Sequence, residues 1–97
     1  MDEVRSRAVI VYLSVGRSPF PHADPEHLAE IFGDEAERLL PYVKELSSEI
    51  MTIEIDWSTH TLDSATEMAM TQMRKRHPEL SDEAIEALGW SFGYSYF

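Results

Sequence analysis

The sequence predicts a mainly α protein: an irregular bundle of four or five short helices followed by an extended aromatic C-terminal tail. Three observations carry this. Helix-start signals recur, at Asp24-Pro25-Glu26 and again at Ser81-Asp82-Glu83. Leu39, Val43, Leu46, Ile50, Ile53 and Trp57 are spaced alternately four and three residues apart, the seam of one helix face. The last eight residues, WSFGYSYF, set an aromatic ring at every second position from Trp90 to Tyr96 and end on Phe97, a period-two pattern. With 97 residues and 43% hydrophobic content, the chain has enough for one domain spanning residues 1–97 and one modest core.

The elements follow in order. In the first segment Val4, Ala8, Val11, Tyr12 and Val15 form a helical stripe, while the β-branched run Val9-Ile10-Val11 favours a strand. Helix is preferred, since only one other segment could pair with it. The alternative is an α+β arrangement with a small two-stranded element from residues 8–15 and 50–57. Gly16 to Ala23, with one glycine and two prolines, is a loop. Asp24 caps the next helix, Pro25 opens it, Leu28, Ile31 and Phe32 form its apolar face and Gly33 ends it. Asp34 is placed to cap a second start.

The long seam then follows, with Glu45, Ser48, Glu49, Thr52 and Asp56 as its polar back. Pro41 sets the start of this helix or kinks it. Residues Met51, Ile53, Ile55 and Trp57 alternate with polar ones in the rival strand pattern, but the helical seam is longer. Asp63 is the candidate cap of a further helix carrying Ala65, Met68, Ala69 and Met73, which Pro78 stops. In the last helix Ser81 is the cap and Leu80 and Ile85 the hydrophobic staple, with Gly89 as its stop.

The formal net charge is −10, and its distribution is uneven. Between Asp24 and Glu67 stand twelve acids against Arg38 and Lys44, so this segment carries the whole excess. Phosphate would be repelled, which argues against nucleic acid and favours a basic protein partner. Cysteine is absent, so disulfides and thiolate metal sites are excluded. The apolar stretch from Ala8 to Val15 is short and is followed by Arg17, unlike a secretory leader, and no run approaches the ~20 apolar residues of a membrane helix. A cytoplasmic setting without membrane contact is the expectation.

Candidate chemistry is sparse. His22, His27 and Glu30, with Asp24 and Glu26 beside them, offer imidazole and carboxylate donors for a divalent ion. Asp56-Trp57-Ser58-Thr59-His60 gathers a carboxylate, two hydroxyls and an imidazole, but no nucleophile elbow accompanies it, and a helix terminus is the simpler role. Arg74-Lys75-Arg76 complements a helix C-terminus. No Gly-rich phosphate loop exists, and no cofactor is expected. Met68, Met70 and Met73 read as core filler.

These observations point away from catalysis and toward a small acidic binding protein that occupies and inhibits a basic protein partner, in the manner of immunity proteins, antitoxins or phage-type inhibitors. Glu45, Glu49 and Asp56 are the candidate steering acids, and Tyr94 and Tyr96 the candidate contact rings. A helical domain with a structural or homodimeric role is the alternative, using the tail or the long seam as its surface. A divalent-metal-binding module around His22, His27 and Glu30 is the third.

Overall fold

A computed structural model describes residues 1–96. They form five α-helices and no strand: α1 (Glu3–Tyr12), α2 (Pro25–Phe32), α3 (Ala36–Met51), α4 (Leu62–Arg76) and α5 (Asp82–Ser95), with a single 3-10 turn (Gly33–Glu35) leading into α3. The mainly α bundle is thus as the sequence predicts, and the two-stranded alternative is absent among the described residues. No helix in them is long and apolar enough to cross a membrane.

Helix α5 is the hub, packing against α1, α3 and α4. Its Ile85, Leu88 and Phe92 are buried together with Val9 of α1, Leu28 of α2, Val43, Leu46 and Ile50 of α3 and Met73 of α4. Met70 and Met73 are buried and Met68 is half-buried against the same core, so the methionines fill space as expected.

The start signals read from sequence hold where a short polar side chain faces a free turn. Asp24 accepts from the His27 backbone N–H at 3.0 Å, and Pro25 opens α2. Gly33, at φ 57°, ends it. Ser81 accepts from the Ala84 N–H at 3.2 Å, while Leu80 and Ile85 are both buried. The backbone N–H of Ser81 itself donates to Ser6 Oγ at 2.9 Å, locking α1 to the start of α5. Ser81→Ala is expected to cost about 1 kcal/mol, because an otherwise orphan N–H loses its acceptor. Urea melts of the two forms check this, and equal midpoints would refute it.

Several details depart from the sequence reading. In α1 the buried face is Ser6, Ala8, Val9 and Tyr12; Val4 stays exposed and Val15 lies beyond the helix end, so the stripe is rotated by about one residue. Asp34 does not cap α3: it sits in the 3-10 turn, and Glu35 precedes α3 without a side-chain cap. Pro41 lies within α3 instead of at its start, on the solvent face, where water can satisfy the carbonyl that its missing N–H leaves free. The seam is helical only to Met51; the chain leaves the helix at Thr52, Ile53 is buried just beyond, and Trp57 stands in the following loop. At α4 the cap is Thr61, not Asp63. Thr61 Oγ1 accepts from the Ser64 N–H while Ser64 Oγ accepts from the Thr61 N–H, a reciprocal box that fixes the start two residues earlier.

The largest departure is the tail. It is not extended: α5 continues through Gly89 and Gly93 to Ser95, and Phe97 lies outside the described residues. The aromatic alternation that suggested a strand also contains two pairs four residues apart, Trp90/Tyr94 and Phe92/Tyr96, which share helix faces. Gly89 does not stop the helix because it is a contact point. A Cβ there would meet Met70 Sδ at 2.4 Å and Met70 Cγ at 2.7 Å, so any side chain at this position must push the buried Met70 aside. At Gly93 a Cβ would meet only Thr66 Oγ1, at 3.6 Å. Alanine at the two positions is therefore expected to act with opposite signs. Gly93→Ala should gain about 0.8–1 kcal/mol of helix propensity. Gly89→Ala should lose net stability, since displacing the buried Met70 costs about 1–3 kcal/mol against the same gain. Thermal melts of both variants check this, and a stabilised Gly89→Ala would contradict the packing described.

Candidate protein-binding surface

The C-terminal half of α5 gathers aromatic side chains from distant parts of the chain. Tyr94 is exposed and stacks on Phe20, ring centroids 6.0 Å apart. Tyr96 lies 5.0 Å from Trp57 and 4.9 Å from the buried Phe92. The rings of Phe20, Trp57, Tyr94 and Tyr96 each remain between 44% and 53% exposed, so this end of the bundle presents a half-wet aromatic surface.

The loops carrying Phe20 and Trp57 are held by their own hydrogen bonds. Ser14, in the left-handed region at φ 68° and almost fully buried, donates through Oγ to the His22 carbonyl at 2.7 Å. The backbone N–H groups of His22 and Asp24 reach Leu13 and Tyr12 carbonyls at 3.2 and 2.9 Å. Arg17 pairs with Asp24 at 3.2 Å, closing the loop on which Phe20 sits. Beside Trp57, the Asp56 carboxylate accepts from the Ser58 N–H at 3.1 Å and from its hydroxyl, which holds the acid below the usual carboxylate range.

Two grooves flank Trp90. The first, about 420 Å³, runs between α4 and α5; Leu62, Asp63, Thr66 and Glu67 come from α4 and Gly89, Trp90, Gly93 and Tyr94 from α5. The second, about 330 Å³, lies between α1 and α5 and is lined by Ile10, Val15, Glu83, Glu86, Ala87 and Trp90. Asp63, Glu67, Glu83 and Glu86 are all exposed, and none forms an ion pair among the described residues.

The sequence-derived site residues fall in three places. Tyr94 and Tyr96 belong to this aromatic surface. Glu45 is exposed on α3. Glu49 is engaged internally: its carboxylate takes Arg76 Nη1 at 3.1 Å and His77 Nε2 at 2.8 Å, while His77 Nδ1 lies 3.4 Å from Glu79, which accepts from the Tyr42 hydroxyl at 2.6 Å. Asp56 is likewise committed to its own turn. Sequence reasoning did not single out Phe20, Glu83 or Glu86, and it named Trp90 only within the aromatic tail and Asp63 and Glu67 only within the acidic segment. The i, i+4 pair Trp90/Tyr94 was a readable signal only once the tail was known to be helical, and Asp63 pairs with Glu67 only because α4 starts at Leu62 and not after Asp63.

The other clusters do not converge. His27 Nδ1 lies 3.5 Å from Glu30, but His22 does not join them, and no group of three His, Asp or Glu side chains among the described residues is arranged to hold a metal ion. The Asp56–His60 segment is a non-helical turn; His60 Nδ1 sits 3.1 Å from Ser64 Oγ, and the Asp56 carboxylate takes the Ser58 hydroxyl and N–H. Arg76 ends α4 as a partner of Glu49, and Arg74 lies 3.6 Å from Asp82.

The Glu49–His77–Glu79 network has a pH signature. Burial opposes ionisation of Glu49, but the hydrogen bonds from His77 and Arg76 win and hold its carboxyl below the ordinary value. At Glu79 burial is likewise outweighed by the Tyr42 hydroxyl and the neighbouring His77. Tyr42 is pushed up, first by burial and then by that bond. A depressed carboxyl stabilises the fold above its unfolded pKa of about 4.3, and the contribution is lost as pH falls through the lower folded value. Stability is therefore expected to drop as pH falls below about 4.3. Glu49→Gln should flatten that slope. Urea midpoints at stepped acid pH values test it; the same slope in both forms would remove Glu49 from the account.

No family model matches the chain, and neither does any curated protein or solved structure.

Proposed function

We propose that this chain is a small, non-catalytic acidic binding protein that occupies and inhibits a basic protein partner, docking through the outer face of α5. The observation that carries the reading is the combination along α5: four half-exposed aromatic rings around its C-terminal end, and two grooves on either side of Trp90 edged by four acids without ion-pair partners among the described residues. Rings of Tyr and Trp supply large rigid contact area with a polar handle, the composition of binding hot spots. The acids supply steering toward a positive surface and oppose phosphate. They also oppose self-pairing, because a two-fold dimer on this face would bring like charges together. A cytoplasmic encounter is the setting proposed.

Steering rests on Glu45, exposed on α3 and without an ion pair among the described residues, and on the acids that line the grooves beside Trp90, but not on Glu49. Glu49 is already paired with Arg76 and hydrogen-bonded to His77, whereas Asp63, Glu67, Glu83 and Glu86 have no ion-pair partner among the described residues. The test is association kinetics with a partner captured from the source cells. Capture should slow by about tenfold or more between low and high salt, and neutralising Glu83 and Glu86 together should slow it at low salt with little change in dissociation. An association rate indifferent to salt and to these changes would return the acidity to a role in solubility.

A further inference from the structure

We infer that the groove between α4 and α5 is a guanidinium site, which receives an arginine side chain of the basic polypeptide partner. This rests on the binding role proposed above and specifies the chemistry of its anchor. The groove is built from three pairs of residues one helical turn apart. Asp63 and Glu67 stand along the α4 wall, Trp90 and Tyr94 along the α5 wall, and Gly89 and Gly93 leave the floor between them without side chains. Leu62 and Thr66 complete the α4 side; Thr66 Oγ1 is already spent as a donor to the Leu62 carbonyl at 2.8 Å.

The occupant follows from what the walls offer. The lining is largely apolar and aromatic, which suits the methylene stem of a long side chain. Trp90 and Tyr94 line the groove, and an aromatic ring attracts a cation; one face of Tyr94 is taken by Phe20, which leaves Trp90 as the main stacking partner. The two carboxylates add net negative charge on the opposite wall and have no cationic partner among the described residues. A neutral apolar side chain would strip water from these carboxylates with no return. Of the two cationic side chains, arginine fits better: its planar, weakly hydrated head stacks on rings and bonds carboxylates through a fork, whereas an ammonium is a compact, strongly hydrated point charge.

The site can be tested without knowing the partner. The probes are capped tripeptides, Gly-X-Gly, with X arginine, lysine, or citrulline, which keeps the arginine shape without its charge. Backbone amide NMR shifts locate the contact, and the fluorescence of the Trp57→Phe variant reports on Trp90 alone. The arginine peptide should bind saturably, about tenfold more tightly than citrulline or lysine, with shifts concentrated over residues 62–67 and 89–94. Asp63→Asn with Glu67→Gln should abolish this preference while the thermal melt stays native. Should that pair melt early, Glu67→Gln alone, outside the first turn of α4, should still reduce the preference. Equal binding of citrulline, equal binding of lysine, or shifts centred elsewhere would each overturn the assignment. Failure to find a basic partner, with arginine selectivity intact, would instead overturn the proposed function and leave the site standing.

Discussion

Phe92→Ala should unfold most of the population at modest temperature. Phe92 is wholly buried, the largest of the fully buried side chains, and it lies on the helix that packs against α1, α3 and α4. Removing its ring costs the transfer free energy and leaves a cavity where three helices meet, about 3–5 kcal/mol in all. A domain of this size has about 5–15 kcal/mol in reserve, so this is a large share of it. Each kcal/mol moves the melting temperature by about 4–8 °C at this length, so a fall of about 12 °C or more is expected. Tyr94, two residues on, is the internal control. Its ring is 53% exposed, and Tyr94→Ala should cost about 1 kcal/mol or less. Circular dichroism melts of both variants decide it. A Phe92→Ala protein that melts like the parent would mean α5 does not complete the core.

Ile50→Asp should be more damaging still. Ile50 is fully buried on α3 beside Leu46 and Val43, and a carboxylate there has no cation within the core to pair with. Ile50→Ala or Leu46→Ala alone should cost about 2–5 kcal/mol; the aspartate adds the desolvation of a charge and should abolish cooperative folding near neutral pH. Thr52→Ala, at an exposed helix end where the hydroxyl only donates to the Glu49 carbonyl, should shift the melt by a few degrees at most. A folded Ile50→Asp protein would contradict the helical seam, because a strand over these residues would rest on Met51, Ile53 and Ile55 instead.

The parts of the fold legible in the sequence were those fixed by local chemistry. The Asp24-Pro25 and Ser81-Asp82-Glu83 starts and the Gly33 and Pro78 stops depend on a few adjacent residues, and each lies where read. Leu39, Val43, Leu46 and Ile50 kept a helical period long enough to outweigh the strand pattern beside them. The tail was misread for a non-local reason. Gly89 looks like a break until α4 is known to lie against it, and the Met70 contact that makes it useful joins residues far apart in sequence. The Thr61 start was missed because Asp63 is the stronger cap by type, while the reciprocal bonding of Thr61 with Ser64 wins in place.

For the candidate surface the same division holds. Tyr94 and Tyr96 stood out by composition alone. Their partners did not, since Phe20 and Trp57 reach them only through tertiary packing. Charge counting could not separate acids already paired, such as Glu49, from those left without an ion pair among the described residues, such as Glu67, and it passed over Glu83 and Glu86, which lie outside the acidic segment. That distinction needs the positions of Arg76 and His77.

The central claim is that the acid-edged aromatic face of α5 engages a basic protein. Its most direct test is titration calorimetry of the captured partner against the parent and against a variant carrying Tyr94→Ser, Asp63→Asn and Glu67→Gln. The account predicts a basic partner, bound one to one by the parent and at least about 100-fold more weakly, or 2.7 kcal/mol, by the variant, which still unfolds cooperatively and well above the temperature of the titration. Equal affinity for the two forms, or a captured partner that is itself acidic, would contradict it.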